Sequence, residues 1–93
     1  MREIERTTQF KRDYKREAKG RYRTTLDGDL AALLRLLVND ARLPARYRDH
    51  ALGGEWANYL DCHVKLDLLL IYGKPDDRTL RLVRLGSHSE LGF

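Results

Sequence analysis

The chain is poor in the features that would place it outside a reducing compartment. It has one cysteine, Cys62, in 93 residues. A single cysteine excludes an internal disulfide and a four-cysteine zinc site, and it fits a cytoplasmic setting. No apolar run approaches the ~20 residues of a bilayer span. The longest, Leu68-Leu69-Leu70-Ile71-Tyr72, has the length of a strand. The opening Met1-Arg2-Glu3-Ile4-Glu5 is charged, and no apolar segment follows it, so a secretory signal is not expected. No glycine-rich phosphate loop precedes a helix, and neither a G-x-S-x-G elbow nor an H-E-x-x-H motif occurs. There are no internal repeats or low-complexity stretches.

The chain does carry charge, unevenly spread. Eighteen Lys and Arg against fourteen Asp and Glu give +4. Residues 1–25 hold a net +5, residues 26–50 are neutral, and residues 51–93 carry −1. All three histidines, His50, His63 and His88, lie outside the basic first quarter. A polyanion gripped by one region and worked on by another would suit this division, and so would a plain solvated helix face. At this length, with 42% hydrophobic residues, one domain spanning 1–93 is expected.

Periodicity predicts a weak strand over residues 2–7 and a helix capped by Thr7 or Thr8. That helix has an apolar stripe of Phe10, Tyr14 and Ala18 and a stop at Gly20. A second helix, capped by Thr24 or Thr25, carries Leu26, Leu30, Leu33, Leu34, Leu37 and Val38 on one broad face. After a long connection over 39–54, three strands are expected at Glu55–Leu60, His63–Tyr72 and Thr79–Leu85. The fold class is α+β, in the order β-α-α-β-β-β. Two N-terminal helices pack on one face of a small, mainly antiparallel sheet.

Alternation along 63–72 puts Val64, Leu66, Leu68, Leu70 and Tyr72 on the core face, and His63, Lys65 and Asp67 on the face away from the helices. On one continuous strand, His63 and Asp67 lie roughly 13 Å apart, too far for direct hydrogen bonding. With His50, Arg84 and His88 they form a set suited to cleaving RNA. Histidine serves as base or acid near neutrality, and arginine forks donors onto phosphate oxygens. The same residues with Cys62 could ligate zinc, but their spacing matches no compact metal motif. Surface or structural histidines are the plain alternative. Trp56 and Tyr59 read as core or edge aromatics, whereas Tyr47, between Arg46 and Arg48, is a candidate for stacking on a base.

Several ordered blocks carry a resemblance. They are Tyr47-Arg48-Asp49-His50-Ala51-Leu52, Gly54-Glu55-Trp56, Tyr59-Leu60-Asp61-Cys62-His63-Val64, Asp67 with Leu70-Ile71-Tyr72, and Arg84-Leu85-Gly86-Ser87-His88-Ser89-Glu90-Leu91. They resemble the YafQ branch of the RelE/ParE toxin superfamily closely over 47–91, and the first half agrees in length and element order. The resemblance implies the toxin of a type II toxin–antitoxin pair: a cytoplasmic, ribosome-dependent mRNA endoribonuclease that acts in the A site without metal or other cofactor. Its implied partners are a ribbon–helix–helix-type antitoxin, the ribosome and mRNA, and operator DNA through the antitoxin, with no membrane. His50, His63, Asp67 and His88 fall on the family's catalytic positions, and Arg84 on its transition-state arginine. The implied roles make His88 the general acid. His63 and Asp67 activate or orient the 2′-OH, and His50 positions phosphate or shares the base role. Lys11, Arg12, Lys15, Arg16 and Arg48 would contact RNA, with Phe93 at the cleft. Two positions depart from the family pattern: Leu68 stands where relatives can have tryptophan, and Gly92 intervenes before Phe93. The competing reading is a non-enzymatic module of the same fold that binds ribosome, antitoxin or operator without cutting RNA.

Overall fold

The computed structural model describes residues 1–93. Eight elements follow in chain order: β1 (Glu3–Arg6), α1 (Thr8–Glu17), α2 (Leu26–Val38), β2 (His50–Ala51), β3 (Leu60–Lys65), β4 (Leu68–Gly73), β5 (Thr79–Gly86) and α3 (His88–Leu91). Short 3₁₀ turns lie at Ala45–Tyr47 and Gly54–Trp56. The sheet order is β1-β5-β4-β3-β2, with β1 parallel to β5 and every other pairing antiparallel.

Thr7 caps α1, its side chain accepting a hydrogen bond from the Phe10 N–H at 3.2 Å. The helix stops at Glu17, ahead of the expected Gly20. Lys19 and Gly20 bond back three residues, to Arg16 and Glu17, and tighten the last turn. α2 has the expected bounds, but neither threonine caps it by side chain. Its entry continues a preceding turn, and the Leu26 N–H reaches the Tyr22 carbonyl at 2.8 Å, so backbone replaces the hydroxyl.

One face of the sheet packs on the helices. Phe10, Leu26, Leu30, Leu33, Leu37 and Val38 meet Cys62, Leu68, Leu70, Tyr72, Leu80, Leu82 and Leu85, all buried in one cluster with Tyr47. Leu68 is part of this core, and a leucine there offers no surface to a base. Tyr47 is also only 5% exposed, so the stacking role considered for it does not hold. Arg46 lies over its ring instead.

The strand boundaries depart from expectation in three places. Glu55–Leu60 is not a strand: it holds the 3₁₀ turn, where Trp56 and Tyr59 pack edge to face. His63–Tyr72 is not one strand but two, β3 and β4, folded back at Leu66–Asp67. Leu66 therefore sits at a turn tip, 78% exposed, rather than in the core. The two-residue β2 and the closing helix α3 were not anticipated. Ser87 and Glu90 nonetheless have the spacing of a capping box, and both of its hydrogen bonds form.

Two register shifts aim side chains. The β3–β4 pairing slips between His63 and Lys65, and the β4–β5 pairing slips between Ile71 and Tyr72, leaving Val64 and Val83 as extra residues. The first shift reverses the alternation after His63. Lys65, expected beside His63, turns to the helix side and pairs with Asp29 of α2. The second puts both Leu82 and Leu85 in the core and turns Arg84 to the opposite face, opposite Ile71.

Candidate active site

The face of the sheet away from the helices collects the polar residues. Register places His50 beside Asp61, Asp61 beside Ile71, His63 beside Leu69, and Ile71 beside Arg84. Leu69 and Ile71 are almost fully buried but lie outside the helix-side core. They form the apolar floor under the histidines.

His88 enters from the start of α3. Its Nδ1 lies 2.6 Å from Asp67 Oδ1, and the same oxygen accepts its backbone N–H at 3.0 Å. These two bonds, the backbone one first, hold the Asp67 carboxyl below its ordinary range. Binding at Nδ1 fixes the imidazole and leaves Nε2 as its free nitrogen. The fold-back at Leu66–Asp67 makes this contact possible: Asp67 lies on the turn and bonds His88 rather than extending along a strand from His63. The His63 and His88 rings are 5.4 Å apart, inclined at 62°. His63 Nδ1 lies 3.2 Å from the Leu66 carbonyl, so the tight turn orients this ring as well.

His50 lies on β2 with Nδ1 3.1 Å from the Arg48 carbonyl and 3.0 Å from Asp61 Oδ1. The Asp61 oxygen, deeply buried, receives no hydrogen bond of acceptable angle, so the His50 contact is close but poorly aligned. Burial raises the Asp61 carboxyl above its ordinary range, and the three histidines partly offset this. Asp61 escaped sequence reading although it lies two residues before His63, on the same face of a strand.

Arg84 is a quarter exposed, and its guanidinium meets Asp13 of α1, with Nε 2.7 Å from Oδ2. Asp13 was also missed. Its signal was a carboxylate three residues after Phe10, on the buried row of a mainly cationic helix. No group of three or more His, Cys, Asp or Glu side chains is arranged to hold a metal ion.

The expected RNA-contacting cations divide. Lys11, Arg12, Lys15 and Arg48 are exposed and form no ion pair within the chain. Arg16 belongs to a different set: Asp13, Glu17 and Glu90 all lie within 3.0 Å of its nitrogens, and it donates to the Leu85 carbonyl at 2.9 Å. It joins α1 to β5 and α3. Gly92 adopts φ +80° and closes α3 with a left-handed turn, in which the Phe93 N–H reaches the His88 carbonyl at 2.8 Å. The turn sets Phe93 against Trp56, with centroids 6.2 Å apart. Gly92 is thus a defined cap rather than a loose spacer.

Comparison with known proteins gives the family and the fold. The sequence model described as "Bacterial toxin of type II toxin-antitoxin system, YafQ" matches residues 2–92. This chain belongs to the YafQ toxin family. It is 42% identical over 92 residues to the mRNA interferase toxin YafQ of Escherichia coli K12, covering 98% of this chain and 96% of that protein. The crystal structure of YafQ from E. coli BL21(DE3) superposes with a TM-score of 0.82 at 39% identity, covering 98% of both chains. YafQ in the E. coli DinJ–YafQ toxin–antitoxin complex gives 0.80 at 41% identity, covering 97% of this chain and 96% of that one. The family and the α+β fold expected from the sequence are both met. No helix is long and apolar enough to cross a membrane.

Proposed function

We propose that this YafQ-family toxin is an endoribonuclease that cuts mRNA in the ribosomal A site, with side chains alone as acid, base and charge stabiliser. The observation that carries the reading is the His88–Asp67 pair beside His63, on the sheet face that also bears Arg84 and His50. The curated relative's name as an mRNA interferase agrees with it.

In the reaction the 2′-oxygen forms a bond to phosphorus while the bond from phosphorus to the 5′-oxygen breaks. A base takes the 2′-OH proton, and an acid gives one to the departing oxygen. The products are a cyclic phosphate and a 5′-OH. His88 is the acid through Nε2, with Asp67 holding the ring from Nδ1. His63 takes or orients the 2′-OH proton, with His50, backed by Asp61, sharing the base role or positioning phosphate. Arg84 meets the extra charge on the phosphorane. This assigns Asp67 to His88 rather than to the 2′-OH.

Lys11, Arg12, Lys15 and Arg48 supply phosphate contacts to RNA, which position without reading sequence. The partner is a cognate antitoxin, as in the DinJ–YafQ complex. We assign it the ribbon–helix–helix class, with operator DNA reached through the complex and the cytoplasm as the setting. Programmed ribosomes incubated with wild type should yield mRNA cut to a 5′-OH end, and His88→Ala should cut at least ~100-fold more slowly. Growth arrest with intact mRNA would instead establish the non-enzymatic ribosome-binding module.

A further inference from the structure

We propose that Asp13, on α1, is the residue that positions Arg84 for its work on the phosphorane. The inference rests on the cleavage reading above and adds to it a group from the helix side of the fold.

Asp13 stands among Lys11, Arg12, Lys15 and Arg16, yet it is 2% exposed. A carboxylate in such a place must be satisfied, and this one is saturated. Oδ2 accepts from Arg84 Nε at 2.7 Å and from the Leu85 N–H at 3.0 Å. Oδ1 accepts from Arg16 Nη1 at 3.0 Å and from Arg84 Nη2 at 3.4 Å.

The location explains the Leu85 contact. β1 pairs with β5 only as far as Leu82, so the β5 edge is open beyond it. There α1 takes the place of a strand: Thr7 donates to the Leu82 carbonyl, Asp13 accepts from the Leu85 N–H, and Arg16 donates to the Leu85 carbonyl.

The same carboxylate grips one edge of the Arg84 guanidinium. Of the five N–H donors of an arginine, those on Nε and one on Nη2 face Asp13. The Nη1 donors bond nothing in the chain and leave a free edge with the geometry that forks phosphate. Asp13 engages only the Nε and Nη2 side of the guanidinium, so it orients Arg84 and leaves Nη1 to meet the phosphate. The register shift at Val83 turns Arg84 toward the site face, and Asp13 fixes its side chain there. Arg84 thereby arrives preorganised, which is where electrostatic stabilisation of a transition state has its effect.

Asp13→Asn is the informative substitution, because its amide oxygen can still accept the Leu85 N–H while the charge and one acceptor are lost. Single-turnover cleavage on programmed ribosomes is measured for wild type, Asp13→Asn, Arg84→Ala and the double variant. We expect Asp13→Asn to slow cleavage about 100-fold, the cost of a misplaced group, with half-saturating ribosome concentration unchanged. In the Arg84→Ala background it should cost almost nothing, because a residue acting through Arg84 has nothing left to position. A second measurement reads the positioning directly. The Arg84 Nε–Hε resonance should be sharp and protected in wild type and broadened in Asp13→Asn. Wild-type cutting speed in Asp13→Asn, full additivity with Arg84→Ala, or an unchanged Nε–Hε resonance would overturn the proposal while leaving the nuclease reading intact. Absence of cleavage by wild type would overturn the nuclease reading itself, and the resonance would still decide whether Asp13 orders Arg84.

Discussion

Removing one oxygen from Tyr72 tests how the loop carrying His50 is held. The Tyr72 ring is 2% exposed, and its hydroxyl donates to Asp49 Oδ1 at 2.5 Å, tying β4 to the residue before His50. Burial, then the Asp49 carboxylate, push the phenol well above its ordinary range, so it remains a donor from neutral to mildly alkaline pH. Tyr72→Phe keeps the ring in its place in the core. A hydrogen bond to a charged acceptor contributes about 1.5–3 kcal/mol. Asp49 is exposed and recovers water when the bond is lost, so a net cost of about 1–2 kcal/mol is expected. For a domain of this size that lowers the melting temperature by about 5–15 °C. Thermal denaturation followed by circular dichroism gives the value, and Asp49→Ala should reproduce most of it. The double variant should cost little more than either single one, since both remove the same bond. A Tyr72→Phe protein that melts with wild type, or a double variant whose losses add in full, would refute the reasoning.

Other consequences are open to direct measurement. Hydrogen bonds from Arg2, then Lys74, lower the Asp40 carboxyl from 3.8 to about 2. A depressed carboxylate contributes stability above its unfolded value and loses it as pH falls toward the folded one. The gap in melting temperature between wild type and Asp40→Asn should therefore close as pH falls from about 4 to 2. Leu33 is fully buried among the helix and sheet leucines, and Leu33→Ala should cost about 2–5 kcal/mol in urea denaturation. Cys62 is buried, and loss of hydration raises its thiol far above the ordinary range. Iodoacetamide should leave it unmodified in native protein and label it once denaturant is added, as read by intact mass.

How much of this was legible beforehand differs from element to element. The stripe Phe10–Tyr14–Ala18 and the leucine face of α2 were readable because helix burial follows a local period, and both helices form where that period runs. The polar face of the sheet was readable at His63 from simple alternation. It failed at Lys65, which lies just past a register shift, and a shift is a relation between two strands rather than a property of one. Leu66 failed because the two-residue reversal lies inside a segment otherwise rich in strand formers, marked in the sequence only by Asp67. Ser87 and Glu90, by contrast, carried a readable helix start.

The amino-acid sequence by itself determined the one-cysteine chemistry, the basic first quarter, the helix-forming stripes and the residue types able to move protons. Their ordered blocks also determined the family. Tertiary structure alone decided which of those residues meet. Asp67 reaches His88 only because the chain reverses at Leu66–Asp67, and Arg84 reaches Asp13 across 71 positions only because α1 lies along the open edge of β5. Local period arises from steric and hydrophobic preferences within a few residues. Contacts between distant groups depend on how whole elements pack, and no window along the chain contains that information.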